Sequence, residues 1–600
     1  MKSSILNYNV TGAGRRDSSR PLKKYYLRLK KLFNYMLAPV ILLLVLNGCQ
    51  KVGVPITTEL TPDVFPQTQS QLTAVIGSAY GALRGNFELD YWFMQSLSTD
   101  EAILPARGGN WYDASNGYNH VHLHDWGPDN GWTNTCWSWL AQVVGVCNQV
   151  SYTVGASTQP DVFKKAGVAE LKVVRDMAYF MLMDLYGNVP LDSTYGDFSA
   201  HPNVPRAQVF SFIENDLKAA LPYLSTDGSA AMYGRANRYT AYAILAKMYL
   251  NAEYYTGTAR YADCVAACDS IINAGGGSLY AVEPRATYLK QFYPNNGPGF
   301  KECIFAIPYD PNAILFPGTN GFNYRARYDL NRNQGIQYHY SGSKAGSVID
   351  PVGNVTYAAS TGWQVSKPSG PESTLPSFYA YFYDPNDIRN KQWLTGLQYW
   401  PDGNPLMVQT TKQGFDATYL GPDKGATYTY QLNLTPDVYF RTDPNSGANP
   451  ALFDLGNDEV AWNMGYRNIK FYPDSINTAN KNQNNDVPVF RYADILLMKA
   501  EAILRGAAAT GGQTALSLAN QIRAGRTTSA AWTNITLDSV YNERCREFTW
   551  ETWHRNDMIR FGKYEGTWGF KTNNDVYRRI FPIPNTALLL NPKLIQNPGY

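Results

Sequence analysis

Pairs of amphipathic helices separated by short breaks constrain this 600-residue chain more than any other feature. Residues 166–185, AGVAELKVVRDMAYFMLMDL, carry apolar side chains at helical spacing, and Gly187 and Pro190 end the run. After Pro205, the residues Phe210, Ile213, Leu217 and Leu221 recur at steps of three or four. The segments RANRYTAYAILAKMYLNAEYY and YADCVAACDSIINAGGG predict a further pair, with small residues for close approach and a glycine stop. Near the end, VFRYADILLMKAEAILRG and QTALSLANQIRAGR predict a helical hairpin, and LDSVYNERCREFTWETWHRNDMIRFGK one long third helix. Short helices joined as hairpins predict a mostly α scaffold of stacked helical repeats, although no strict 34-residue period registers.

Residues from about 276 to 485 differ in kind. They are rich in Gly, Asn, Pro and Tyr, as in NGPGF, GTNGFNYRARY and YAYFYDPNDIRNKQW, with only short alternating apolar pieces. Irregular chain on that scale inside a helical protein is usually functional. The expected layout is one domain over residues 49–600, with a helical scaffold at about 60–275 and 486–600. A loop-rich insert occupies about 276–485 of that domain.

The N-terminus has a separate logic. Nine Lys/Arg and one acid (Asp17) fall in residues 1–48, leaving 43 basic against 48 acidic residues beyond them, a net charge of −5. Such a balance carries no electrostatic footprint for nucleic acid. The basic start leads into LAPVILLLVLNGCQK, whose apolar run 37–46 would make a helix of about 15 Å, half the hydrocarbon thickness of a bilayer. A positive flank, a short apolar core and a small residue before a cysteine read as a secretory signal over 1–48. Leu46-Asn47-Gly48-Cys49 resembles a bacterial lipobox, which makes Cys49 the expected lipidated first residue of the mature chain.

Six cysteines remain, with no CxxC or Cys/His spacing of a zinc module. Cys264 and Cys268, one turn apart beside Ala266 and Ala267, read as small buried thiols, while a disulfide after export stays open. No Walker loop, dinucleotide fingerprint or G-x-S-x-G elbow is present, so no cofactor is expected.

Several phrases together carry a family likeness: LTAVIGSAYGAL, RDMAYFMLMDLYGNVPL, RANRYTAYAILAKMYL, RYADILLMKAEAILRG, NERCREFTWETWHRNDMIRFGK and IFPIPNTALLLNPKLIQNPGY. They run from near residue 60 to Tyr600, and with them the chain resembles the SusD/RagB family of Bacteroidetes outer-membrane lipoproteins. The resemblance implies a mostly α fold of tetratricopeptide-like helix pairs. It implies a non-catalytic, lipid-anchored protein on the outer face of the outer membrane, a lid on a SusC-like TonB-dependent transporter. Such lids capture oligosaccharides, or peptides in some members, and pass them to the barrel.

Three constellations compete for chemistry. Glu543, Glu547 and Glu551 form one helical stripe, and an i,i+4 pair approaches the 5–5.5 Å carboxyl separation (roughly) of a retaining glycosidase. Arg544, Arg546 and Arg555 interleave with them, so a structural ion-pair lattice on a helix surface is expected, with Glu551 to Arg555 in the favourable order and His554 part of it. His120, His122 and His124 alternate in RGGNWYDASNGYNHVHLHDWGPDNGW. On an extended strand the first and third would lie about 13 Å apart, too far to share one ion, so no metal site is expected. The aromatics of the same segment suit the implied role better. Sugars present C–H faces ringed by hydroxyls and need flat rings with polar groups at the rim. Trp111, Tyr112 and Trp126, with Arg107, Asp113 and Asn116, are the expected ligand-binding residues, and Trp132 is a further ring. Trp137 and Trp139 are expected to pack, and Trp363, Trp393 and Trp400 are weaker candidates. A peptide ligand, and a glycan-degrading surface enzyme, are the alternatives.

Overall fold

Side-chain caps set where the scaffold helices begin. In the computed structural model, which describes residues 61–62, 64–107, 117–309, 372–398, 407–410, 428–431, 433–456, 459–471 and 485–600, Thr68 and Gln71 close a reciprocal capping box at the start of α1 (Gln69–Arg84). Helix α2 (Tyr118–Leu123) follows Gly117 in the left-handed region. Asn130 accepts from the Trp132 and Thr133 amides to start α3 (Gly131–Ala156). Helix α4 (Asp161–Tyr186) follows Pro160 and stops at Gly187, whose φ of 73° suits a residue without Cβ. Every residue of α4 from 173 to 186 is buried, making it the central rod of the core.

Beyond it come α5 (Arg206–Ala220), α6 (Arg238–Leu250) and α7 (Tyr261–Ile272). The predicted Phe210, Ile213 and Leu217 are the buried face of α5. After the insert follow α8 (Tyr492–Leu504), α9 (Ala515–Ala524), α10 (Leu537–Glu547), α11 (His554–Arg560) and α12 (Asn585–Leu590). Helix α3 packs on α4, α4 on α5, α6 on α7, α7 on α8, and α8 on α9. This is the mostly α stack of helix pairs that the apolar spacing predicts. All six cysteines beyond Cys49 are free, with Cys264 and Cys268 buried in α7.

Two predicted elements change. The VFR that precedes α8 is part of strand β8 (Val487–Arg491), not helix. The expected long helix at 537–563 breaks at 548–553, where Trp550 (φ 61°) and Thr552 (φ 68°) take left-handed backbone. Tertiary contacts hold that break. The Trp550 amide donates to Glu101 Oε1 (2.6 Å), and Trp92 Nε1 donates to the Trp550 carbonyl (3.2 Å). The buried Trp92 and Trp550 rings meet edge to face at 4.9 Å. An aromatic contact of that kind contributes about 1 kcal/mol beyond burial, comparable to the cost of one strained residue.

The insert leaves and rejoins the scaffold through one ribbon. Strand β1 (Cys303–Ile307) pairs antiparallel with β8, from Cys303 opposite Arg491 to Ile307 opposite Val487. Between them lie short two-residue pairings, β2 (Trp393–Leu394) with β7 (Arg467–Asn468) and β3 (Gly396–Leu397) with β6 (Asn433–Leu434). A longer ribbon joins β4 (Met407–Thr410) to β5 (Tyr428–Gln431). Leu375, Phe378, Phe382, Trp393 and Phe453 seat the insert on Ile103 and on Tyr541 and Met558 of α10 and α11. Thr61–Tyr600 make up one contact unit. Among the described residues, no helix is long and apolar enough to cross a membrane.

Candidate functional site

Residues 108–116 lie outside the described part of the structure, and with them Trp111, Tyr112, Asp113 and Asn116. The structure does place both ends of that segment. At one end the Ala106 amide donates to the Phe453 carbonyl, and its own carbonyl accepts from the Leu455 amide, both at 3.0 Å. Arg107 is fully buried. Its Nε donates to the Ala461 carbonyl (2.8 Å), and its Nη2 to the Met464 carbonyl (2.9 Å) and Ser373 Oγ (3.2 Å). Arg107 therefore ties this end to the insert, a correction to its expected place at a ligand rim: a guanidinium spent on buried carbonyls has no face for solvent.

At the other end, Gly117 has φ 70°, and a Cβ there would come within 2.7 Å of Asn130 Nδ2. Tyr118, Phe93 and Trp132 then form a ring cluster with centroids 4.7–5.2 Å apart. The base of the segment is thus framed by packed rings on one side and a buried arginine on the other.

The three histidines sit on helix α2 and its C-cap, not on a strand, and they part company. His120 faces solvent and pairs with Asp125 Oδ1 at 2.7 Å, a contact that raises its pKa. His122 is buried against Phe453, and burial pushes its pKa down to about 4, leaving a neutral ring. His124, at φ 57°, donates from Nε2 to the Ser98 carbonyl (2.8 Å) and packs on Trp126, Tyr564 and Trp568. Burial holds its pKa well below the ordinary histidine range. Among the described residues, no group of three His, Cys, Asp or Glu side chains is placed to hold a metal ion.

Trp126 also departs from expectation. Its ring is 1% exposed, stacked on Phe581 at 4.4 Å, with Nε1 donating to the Tyr600 hydroxyl (2.8 Å). Phe581, Arg578 and His124 crowd its ring and Tyr600 takes its polar edge, so it packs and offers no platform to a ligand. Trp393 is likewise buried, within the insert's contact with α10 and α11. Trp363 and Trp400 lie outside the described residues. Trp137 and Trp139 are buried in the scaffold, with Trp139 Nε1 donating to the Ala82 carbonyl at 2.8 Å.

The carboxylate stripe is an ion-pair lattice, as its interleaved arginines suggest, but it lies in the core and not on a surface. Glu547 accepts from Arg389 Nη1 (3.0 Å), Arg491 Nη1 (2.8 Å) and Arg526 Nε and Nη2 (both 2.9 Å). Glu543 pairs with Arg389 and Arg546, and Glu551 with Lys470 and Arg491. Glu302 joins Arg491 to Arg526, and Asp387 completes the Arg389 pairing. Arg555, expected opposite Glu551, instead reaches Asp184 at 2.8 Å, because the break at 548–553 carries it out of register. His554 pairs with Asp100 at 2.7 Å.

Burial alone would raise the Glu543 carboxyl; Arg389 and Arg546 overcome it and bring it down to about 2. Burial lowers Lys470 to about 8 against the pull of Glu551. Five anions and five cations therefore balance in a dry interior, and none of these carboxylates is an uncommitted acid or base.

Comparison with known proteins identifies the family of this helical stack and its insert. The chain belongs to the SusD family: the family model of that name matches residues 243–600. A second model, described as starch-binding associating with outer membrane, matches residues 58–250. The chain is 24% identical over 465 residues to starch-binding protein SusD of Bacteroides thetaiotaomicron, covering 72% of each. It is 22% identical over 582 residues to SusD-like protein P25 of Formosa agariphila, covering 90% of this chain and 94% of that one. Among solved structures, a laminarin-binding SusD-like protein superposes with a TM-score of 0.63 at 18% identity, covering 89% of this chain and all of its own. Surface glycan-binding protein A from Bacteroides thetaiotaomicron, in complex with laminarihexaose, gives a TM-score of 0.61 at 18% identity over 88% of this chain and 99% of its own. These likenesses show the fold.

Proposed function

We propose that this chain is a non-catalytic cell-surface lipoprotein, anchored in the outer membrane through Cys49. It binds oligosaccharide and hands it to a SusC-like TonB-dependent transporter. The observation that carries this reading is family membership reached from end to end: two models of one kind span residues 58–600, and the similar proteins carry starch, laminarin or surface glycan in their names. A binding role without turnover is supported by the carboxylate stripe, whose members are locked in buried ion pairs. With Arg107 and Trp126 assigned to packing, the ligand-binding proposal rests on Trp111, Tyr112, Asp113 and Asn116, which lie in sequence between Arg107 and Tyr118.

The test is a glycan array and a peptide array probed with the purified mature protein, followed by assay of bound glycans for reducing ends. Glycan binding without new reducing ends is the expected result. A peptide-only response would replace the ligand class, and steady release of reducing ends would overturn the non-catalytic reading. Trp111→Ala is expected to lower glycan affinity on the order of fivefold with little change in melting temperature; an unchanged affinity removes that ring from the site. Cys49→Ser should abolish incorporation of radiolabelled palmitate in cells, and persistent labelling would refute the anchor.

A further inference from the structure

Two tyrosines stand open to solvent toward the end of α3 opposite Trp132. Tyr152, on α3, is 54% exposed, and Tyr195, in the loop after α4, is 41% exposed. Their centroids are 5.3 Å apart with ring planes at 36°, so together they make a shallow aromatic surface. Half-exposed aromatic pairs on a rigid element bury none of their open faces and are a solubility liability unless something covers them.

The loop that carries Tyr195 is locked to the scaffold. The Asp192 carbonyl accepts from Asn148 Nδ2 (2.6 Å) and the Tyr179 hydroxyl (2.9 Å), and the Asp192 amide donates to the same hydroxyl (2.7 Å). Arg175 Nη1 donates to both Asn148 Oδ1 (2.8 Å) and the Ser193 carbonyl (3.2 Å). Asn148 and Tyr152 lie one turn apart on α3, so one helix sets both the loop's root and its ring partner.

A polar rim borders the rings. His201 bridges Asp192 Oδ1 (2.5 Å) and Asp197 Oδ2 (3.2 Å), while Ser199 Oγ donates to Asp197 Oδ1 (2.6 Å). Both carboxylates remain about half exposed, and Asp192 also lines a cavity of about 250 Å³ with Trp137, Tyr179, Pro190 and Leu590. Flat rings, two phenolic hydroxyls and exposed carboxylate acceptors match a neutral, hydroxyl-rich ligand. The two exposed carboxylates of the rim disfavour an anionic ligand, and His201 is taken up between them.

We propose that Tyr152 and Tyr195, with the loop 192–201, form a second contact platform for neutral oligosaccharide; this rests on the glycan-binding reading above. Trp132 and Tyr152 are twenty residues apart on α3, which places the platform about 30 Å along one straight helix from the base of the first segment. A long glycan bridging both surfaces gains avidity, and a short one does not.

The test is native affinity electrophoresis of the mature chain, with Cys49→Ser to keep it soluble, through gels containing soluble starch or laminarin. Four proteins are compared: this reference, Trp111→Ala, Tyr152→Ala/Tyr195→Ala, and Tyr152→Phe/Tyr195→Phe. The expected result is on the order of fivefold weaker retention for the double alanine chain, retained binding for the double phenylalanine chain, and an unchanged melting temperature for both. Equal retention of the reference and double alanine chains would overturn the platform while leaving the glycan-binding reading intact. Passage of the reference chain unretarded through both gels would overturn both.

Discussion

Glu547→Gln tests the ionic core most directly. The substitution keeps the side chain's shape, removes one negative charge, and turns an acceptor of four guanidinium hydrogen bonds into an amide whose NH2 faces other donors. Because five anions balance five cations there, the variant leaves a net positive charge in the interior. Breaking a buried, hydrogen-bonded pairing of this kind costs about 3–5 kcal/mol. The unfolding entropy scales to about 1.1 kcal/mol/K over the 540 residues of Thr61–Tyr600, so the melting temperature should fall by about 3–4 °C. Urea unfolding followed by tryptophan fluorescence reads the free energy, and Lys164→Ala serves as the control, since its partner Asp161 is 76% exposed and solvent screens that pair. The same experiment has a pH signature. Arginine neighbours hold Glu547 well below its ordinary value, so the difference between wild type and variant should be full above about pH 5 and shrink as pH falls. A Glu547→Gln chain as stable as wild type at neutral pH would refute the claim that these charges are uncompensated when any one is removed.

Other outcomes follow from the same geometry. Glu543, brought from an ordinary 4.5 to about 2, contributes about 3 kcal/mol that is present at neutral pH and lost as pH falls from about 5 to 2; an acid titration of stability with no loss in that window would contradict it. Trp126→Ala should cost about 3–5 kcal/mol in urea unfolding, because it empties a stacked and hydrogen-bonded site against Phe581 and Tyr600; a change under 1 kcal/mol (roughly the surface range) would reopen its assignment to packing. Gly569→Ala should destabilise by about 1–3 kcal/mol, since φ is 49° and the new Cβ would lie 2.9 Å from Leu375 Cδ1 and 3.1 Å from His122 Nε2; a neutral effect on melting would show that this turn relaxes freely.

The scaffold was legible because its information is local. Apolar spacing and caps such as Thr68 with Gln71, or Asn237 with Thr240, lie within a few residues of the helices they define. The break at 548–553 was not, because no Gly or Pro marks it; Glu101 and Trp92, some 450 residues away, enforce it. The segment at 107–132 misled for the same reason. A glycine-rich stretch full of rings reads as exposed, yet the covers of Arg107 and Trp126 come from 461–464 and 578–600. Likewise the glutamate stripe announced ion pairing through its neighbouring arginines. Its main partners, Arg389, Lys470, Arg491 and Arg526, sit outside that helix, and only the folded chain shows that the pairing happens in the core.

That cluster also imposes an order on the making of the protein. Synthesis is vectorial, and Glu302, Arg389, Lys470, Arg491 and Arg526 are all added to the chain before Glu543, Glu547 and Glu551 exist. Until those glutamates arrive, the excess of cations stays hydrated and the core between insert and scaffold stays open. A chain that withholds its closing charges until its final sixty residues cannot seal its ionic core before synthesis is nearly complete.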